Sequence, residues 1–74
     1  MQARIELQNN VVLTGEISMM SEHTITIRVS NIDAITMQQL YSQKISVTKL
    51  SRCWSVCANR DKIVGISITD ESLD

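Results

Sequence analysis

Apolar and polar residues alternate along most of the chain, the period-2 signature of half-buried β-strands. Ala3, Ile5 and Leu7 share one face of a first strand. Asn9-Asn10 supplies a two-residue turn, because Asn tolerates the positive φ that hairpin turns need. Val11, Leu13, Gly15, Ile17 and Met19 continue on one face of a second strand, Ser21-Glu22-His23 makes the next turn, and Ile25, Ile27 and Val29 line a third. A break at Ser30-Asn31 leads to Ile35 and Met37, expected as a fourth strand, although the same stretch fits a short helix capped near Asn31. Tyr41-Ser42-Gln43-Lys44 predicts a turn into a long fifth strand. There Ile45 and Val47 face one way, while Leu50, Trp54 and Val56 have the opposite parity, which predicts a bulge or bend near residues 48–49. After a polar turn at Ala58-Asn59-Arg60-Asp61, a last strand carries Val64, Ile66 and Ile68 on one face. Short strands joined by tight turns predict an all-β domain over residues 1–70, a small six-stranded antiparallel barrel, closed or nearly so. Residues 71–74 form an acidic tail.

Composition supports a packed domain. The chain has 74 residues, 43% of them hydrophobic, with many Ile and Val, no Phe, two glycines and no Pro. Such a short chain buries only roughly 60% of the surface its unfolded form exposes. Its core must therefore be well filled or helped by association. No apolar run approaches the length of about eighteen residues that a membrane span requires, so no membrane partner is expected. Met1-Gln2-Ala3-Arg4 has no apolar signal region, and a cytoplasmic protein is the expectation.

Net charge is −1, but it is unevenly distributed. Residues 1–43 sum to −2 and residues 63–74 to −3, whereas residues 44–62 sum to +4 through Lys44, Lys49, Arg52, Arg60 and Lys62 against Asp61. A basic middle segment of this kind could meet phosphate or an acidic partner. Two solvated strands are the plainer reading.

The residue types needed for catalysis are sparse. The single histidine, His23, lies in a polar turn beside Glu22. Cys53 and Cys57, on one strand, would stand roughly 13 Å apart, beyond the reach of a disulfide or of one metal ion. No Cys or His cluster completes a zinc site, and Gly15 and Gly65 stand apart from any phosphate-cradling loop. Neither an enzyme, a cofactor nor a metal is expected.

Two families share the strand pattern. Thr14-Gly15-Glu16-Ile17-Ser18-Met19-Met20-Ser21-Glu22-His23-Thr24-Ile25-Thr26-Ile27 resembles the second and third strands of the PilZ domain, a six-stranded barrel that often binds cyclic di-GMP. Arg52-Cys53-Trp54 and Val64-Gly65-Ile66-Ser67-Ile68-Thr69-Asp70 are similar to its last two strands. Met19 stands where that family has Asp, and Thr24 where it has Gly, while Ser21 is kept. The family's paired arginines before the first strand are reduced to Arg4 alone. The resemblance therefore implies a degenerate member that does not bind cyclic di-GMP and acts through protein contacts. Met19, Met20 and Ser21 are the expected contact residues, for a protein partner or for self-association. The alternative is the Sm-like barrel of Hfq-type RNA chaperones. Its first hairpin resembles residues 5–17, and its second motif is similar to Tyr41-Ser42-Gln43-Lys44-Ile45-Ser46. That resemblance implies an oligomer contacting RNA phosphates through Lys44, Lys49, Arg52, Arg60 and Lys62. The expected function is a non-catalytic regulatory or adaptor module, with RNA binding as the second choice.

Overall fold

The computed structural model describes residues 1–70. It contains β1 (Gln2–Glu6), β2 (Val12–Met20), β3 (Thr24–Val29), α1 (Ala34–Ser42), β4 (Ser46–Lys49), β5 (Trp54–Asn59) and β6 (Gly65–Thr69). The strands make one antiparallel sheet in the order β4-β5-β3-β2-β1-β6, so β4 and β6 are its edges. The chain is mostly β, as the alternation predicts. The expected acidic tail lies outside the described residues.

One face of the sheet carries the core: Ala3, Ile5, Leu7, Val11, Leu13, Ile25, Ile27, Val29, Ile45, Val56 and Ala58, joined by Leu40 from the helix. These are the positions that period 2 places together on the first three strands. Ile5, Ile25, Ile27, Leu40 and Val56 are wholly buried, and each contributes about 1.5–3 kcal/mol by leaving water. Asn9 and Asn10 both take left-handed φ, 62° and 61°, in the turn closed by the Leu7 N–H donating to the Val11 carbonyl at 2.8 Å.

Three expectations are corrected. The fourth strand is instead the helix α1, because the Ile35/Met37 alternation is too short to outweigh the helix signals around it. Its N-cap is Asp33, two residues after Asn31 and so where the short-helix alternative expects a cap, and its Oδ1 accepts the Thr36 N–H at 2.7 Å. Ala34, Met37, Gln38, Gln39 and Leu40 are good helix formers. The helix ends in a Schellman motif: Lys44 N–H donates to Tyr41 C=O (3.1 Å) and Ile45 N–H to Leu40 C=O (2.9 Å), with Lys44 at φ 63°. Buried Leu40 and Ile45 bring apolar side chains to the two ends of that motif.

The long fifth strand is in fact a hairpin. Leu50 N–H donates to Cys53 C=O at 2.8 Å, and β4 folds back on β5 with Val47 opposite Val56. The parity switch near residues 48–49 therefore heralds a chain reversal, not a bulge. A bulge does occur in β2, between Ile17 and Met19, and it turns Met19 off the face that strict alternation gives it. Ala58 is the last buried residue of β5, and the expected polar turn begins after Asn59.

Gly15 lies at a close approach of two central strands. A Cβ there would overlap the backbone carbonyl of Arg28, so β2 and β3 approach more closely than any larger residue permits.

Candidate functional site

The two sheet edges differ in chemistry. β4 is four residues long and ends in Lys49, whose Nζ lies 4.8 Å from the centre of the Trp54 ring. The helix packs beside β4, and the Ile45 N–H is taken by Leu40. A short, charged, flanked strand discourages pairing with another chain. β6, Gly65-Ile66-Ser67-Ile68-Thr69, has neither charge nor proline. Its register sets Ile66 opposite Ile5 and Ile68 opposite Ala3, so both side chains point to the core face. Yet Ile66 is 41% and Ile68 45% exposed, against 1% for each partner. The apolar face thus runs to the edge of the sheet, beyond the ground that α1 covers. Val64, also exposed, shares the parity of Ile66, while exposed Val12, opposite Glu6, lies on the other face; the two meet with Glu6, Leu7 and Asn10 around a groove of about 170 Å³ at this end of the sheet.

The outer face is polar. Gln2, Thr14, Gly15, Glu16, Arg28, Ser30 and Cys53 line a groove of about 320 Å³. Arg28 and Glu16 stand directly opposite each other across the β2–β3 ladder, and their opposite charges give the groove no net preference for anion or cation. Cys53 and Cys57 are half-buried free thiols. His23 sits in its turn, with Nε2 3.9 Å from the Glu22 carboxylate and both side chains exposed. Among the described residues, no group of three or more His, Cys, Asp or Glu could hold a metal ion. No helix there is long and apolar enough to cross a membrane.

The expected contact residues occupy the far end of β2. Met19 is 63% exposed and pairs with Thr26 on the outer face, whereas Met20, 42% exposed, lies opposite Ile25 on the core side. The two methionines therefore do not make one patch. Ser21 shapes its hairpin: its Oγ accepts the Thr24 N–H at 3.1 Å and shares a 2.9 Å hydrogen bond with Thr24 Oγ1.

The five basic residues divide between two ends of β5. Lys49 and Arg52 flank its start, while Lys44, Arg60 and Lys62 gather beyond its finish, a strand length of roughly 17 Å away. Three of them have intramolecular roles. Lys49 lies over Trp54, Arg60 Nε donates to the Ser21 carbonyl at 2.9 Å, and Lys62 Nζ to the Gln43 carbonyl at 3.0 Å. Lys44 and Arg52 are exposed.

Ile66 and Ile68 were legible as one apolar face, but not as an uncovered one. The available signal was a strand free of charge that follows the last turn. No protein-family model, curated protein or solved structure matches this chain.

Proposed function

We propose that the chain is a non-catalytic adaptor module that takes a protein partner along the β6 edge. The observation that carries this reading is the pairing of an uncharged outer strand with half-exposed Ile66 and Ile68, while the opposite edge is guarded by Lys49. An added strand would gain main-chain hydrogen bonds at the edge and apolar contacts on alternate side chains, the mode of β-augmentation. The close β2–β3 crossing at Gly15 supports a sheet coiled towards the barrel that both resemblances imply, with α1 filling part of the gap. Under the PilZ-like reading, exposed Met19 offers no carboxylate and Thr24 is committed to the turn with Ser21, so cyclic di-GMP has no clamp. Action in the cytoplasm fits free thiols at Cys53 and Cys57. RNA binding through Lys44, Lys49, Arg52, Arg60 and Lys62 has less support, because the five residues do not form one continuous face.

Hydrogen exchange at single amides tests the edge. In dilute protein the Ile66 and Ile68 amides should exchange faster than those of β3, and an extended alternating Val–Thr peptide should slow them. Ile68→Lys should abolish that slowing. Exchange unchanged by the peptide would refute edge binding, and slowing at Lys49 or Arg52 by single-stranded RNA would favour the alternative.

A further inference from the structure

We infer that the partner of the β6 edge is a second copy of this chain, paired antiparallel about Ser67; the inference rests on the edge-binding reading above. Backbone polarity decides which groups the edge offers. Ile17 N–H donates to Met1 C=O at 3.0 Å, and Leu7 N–H donates to Val11 C=O at 2.8 Å. The odd residues of β1 therefore turn towards β2, and Gln2, Arg4 and Glu6 turn towards β6. The Glu6 carbonyl, which accepts the Val64 N–H at 2.8 Å, points that way. In the β1–β6 register these even residues face Thr69, Ser67 and Gly65, which use their main-chain groups inward. By alternation, the N–H and C=O groups of Ile66 and Ile68 point outward, where no strand of the described residues lies.

That edge is complementary to itself. With a two-fold axis at Ser67, Ile66 of one copy stands opposite Ile68 of the other, and each such pair exchanges both of its main-chain hydrogen bonds. Every outward group of the two isoleucines finds a partner with no change of register. The axis keeps both core faces on the same side, so Ile66 and Ile68 of the two copies cover one another across the seam. Ser67 meets its own counterpart at a non-hydrogen-bonded site on the outer face, where small side chains approach closely. No charge within residues 65–69 opposes its like, and Arg4, opposite Ser67 on β1, is paired with Glu6 at 3.2 Å. A head-to-tail arrangement, with β6 against β4 of the next copy, would set this apolar strand beside Lys49 and the flanking helix. The isologous pair avoids both and closes on itself.

The register makes a covalent test available. At a non-hydrogen-bonded antiparallel pair the Cα atoms lie about 4.5 Å apart, within the range a disulfide spans. Ser67→Cys in the full chain, oxidised mildly and mapped by mass spectrometry, should yield a dimer cross-linked between the two residues 67 rather than through Cys53 or Cys57. Sedimentation of the unmodified chain should show a monomer–dimer equilibrium that shifts with concentration. Ile68→Lys should weaken it at least tenfold while circular dichroism stays unchanged. A monomer at every concentration with no 67–67 cross-link overturns self-pairing. If the Val–Thr peptide still slows Ile66 and Ile68 exchange in that monomer, edge binding survives and only the identity of the partner falls. A ring larger than a dimer, or a dimer indifferent to Ile68→Lys, also overturns the proposal.

Discussion

Gly15→Ala should cost this protein much of its stability, whereas Gly65→Ala should cost almost nothing. Both glycines lie in strands, and replacing Gly by Ala ordinarily helps by about 0.4–1 kcal/mol through the unfolded chain. At Gly15 the new Cβ would overlap the Arg28 carbonyl oxygen, lie 2.8 Å from its carbon and come within 3.3 Å of Val29 Cγ2. The obstacle is backbone in the middle of the sheet, so β2 and β3 must part. Overpacking of that kind costs roughly 1–3 kcal/mol, and each ladder hydrogen bond lengthened adds up to about 1 kcal/mol. The net loss is about 2–3 kcal/mol, against a total of roughly 4–11 kcal/mol for a domain of this size. At Gly65 the new Cβ would meet the Glu6 Oε1 at 2.8 Å, but that is the end of a half-exposed side chain free to swing away. The swing gives up the Arg4–Glu6 pair, an exposed contact worth about 0–1 kcal/mol, which offsets the Ala gain. Urea unfolding followed by Trp54 fluorescence, at one fixed protein concentration, should show a lowered midpoint with unchanged slope for Gly15→Ala and a near-parental curve for Gly65→Ala. Equal effects at the two glycines, or Gly15→Ala within about 0.5 kcal/mol of the parent, would refute the steric reasoning.

Leu40→Ala should destabilise by about 2–5 kcal/mol, because the helix's only buried side chain leaves a cavity under it; urea denaturation reads the loss, and a change under 1 kcal/mol would show that α1 is not anchored through Leu40. Lys44→Gly should stabilise by about 1 kcal/mol, since φ 63° at the helix end is strained for any residue with a Cβ; an unchanged or lower Tm contradicts the Schellman assignment. The Asp33 carboxyl is held below its ordinary range by hydrogen bonds from the Thr36 backbone N–H and hydroxyl. A depressed folded value means that this stabilisation is present above the unfolded carboxylate range and is lost as pH falls through the folded one. Asp33→Asn should therefore flatten the acid limb of the stability profile, and parallel limbs for parent and variant would argue against the cap.

The strands whose cover is supplied by the sheet itself were legible from alternation alone. Ala3, Ile5, Leu13, Ile25 and Ile27 are apolar at every second position and buried where period 2 puts them. Legibility failed where a longer-range arrangement decides the outcome. Ile35 and Met37 fit a strand, but Asp33 and the formers around Leu40 make a helix, and Ile35 is then 76% exposed. Leu50 and Trp54 share a parity, yet a turn separates them, so parity alone could not distinguish a bend from a reversal. Met19 lost its face to a single extra residue at Ser18, which alternation has no means of marking. The basic residues were visible as a cluster in sequence, but β5 separates them in space and Arg60 and Lys62 serve neighbouring backbone carbonyls.

The helix and the open edge have one cause. Residues 34–42, had they been extended, would have supplied another strand between β3 and β4. Folded as α1, they shorten to a compact plug: Leu40 enters the core, Asn9 Nδ2 donates to Gln39 Oε1 at 3.1 Å and Gln43 Nε2 to the Gln8 carbonyl at 3.0 Å. Those contacts tie the helix to the turn between β1 and β2, while its own chain leads into β4. Among the described residues the helix's cover is thereby concentrated beside β4, and Ile66 and Ile68 of β6 stay half-exposed. An exposed edge is protected by charge, proline, a bulge or a covering element, or is completed by a partner. β4 carries the first in Lys49. β6 carries isoleucines at both outward-bonding positions, each leaving more than two fifths of its surface in water, apolar surface that a strand completed by another would bury.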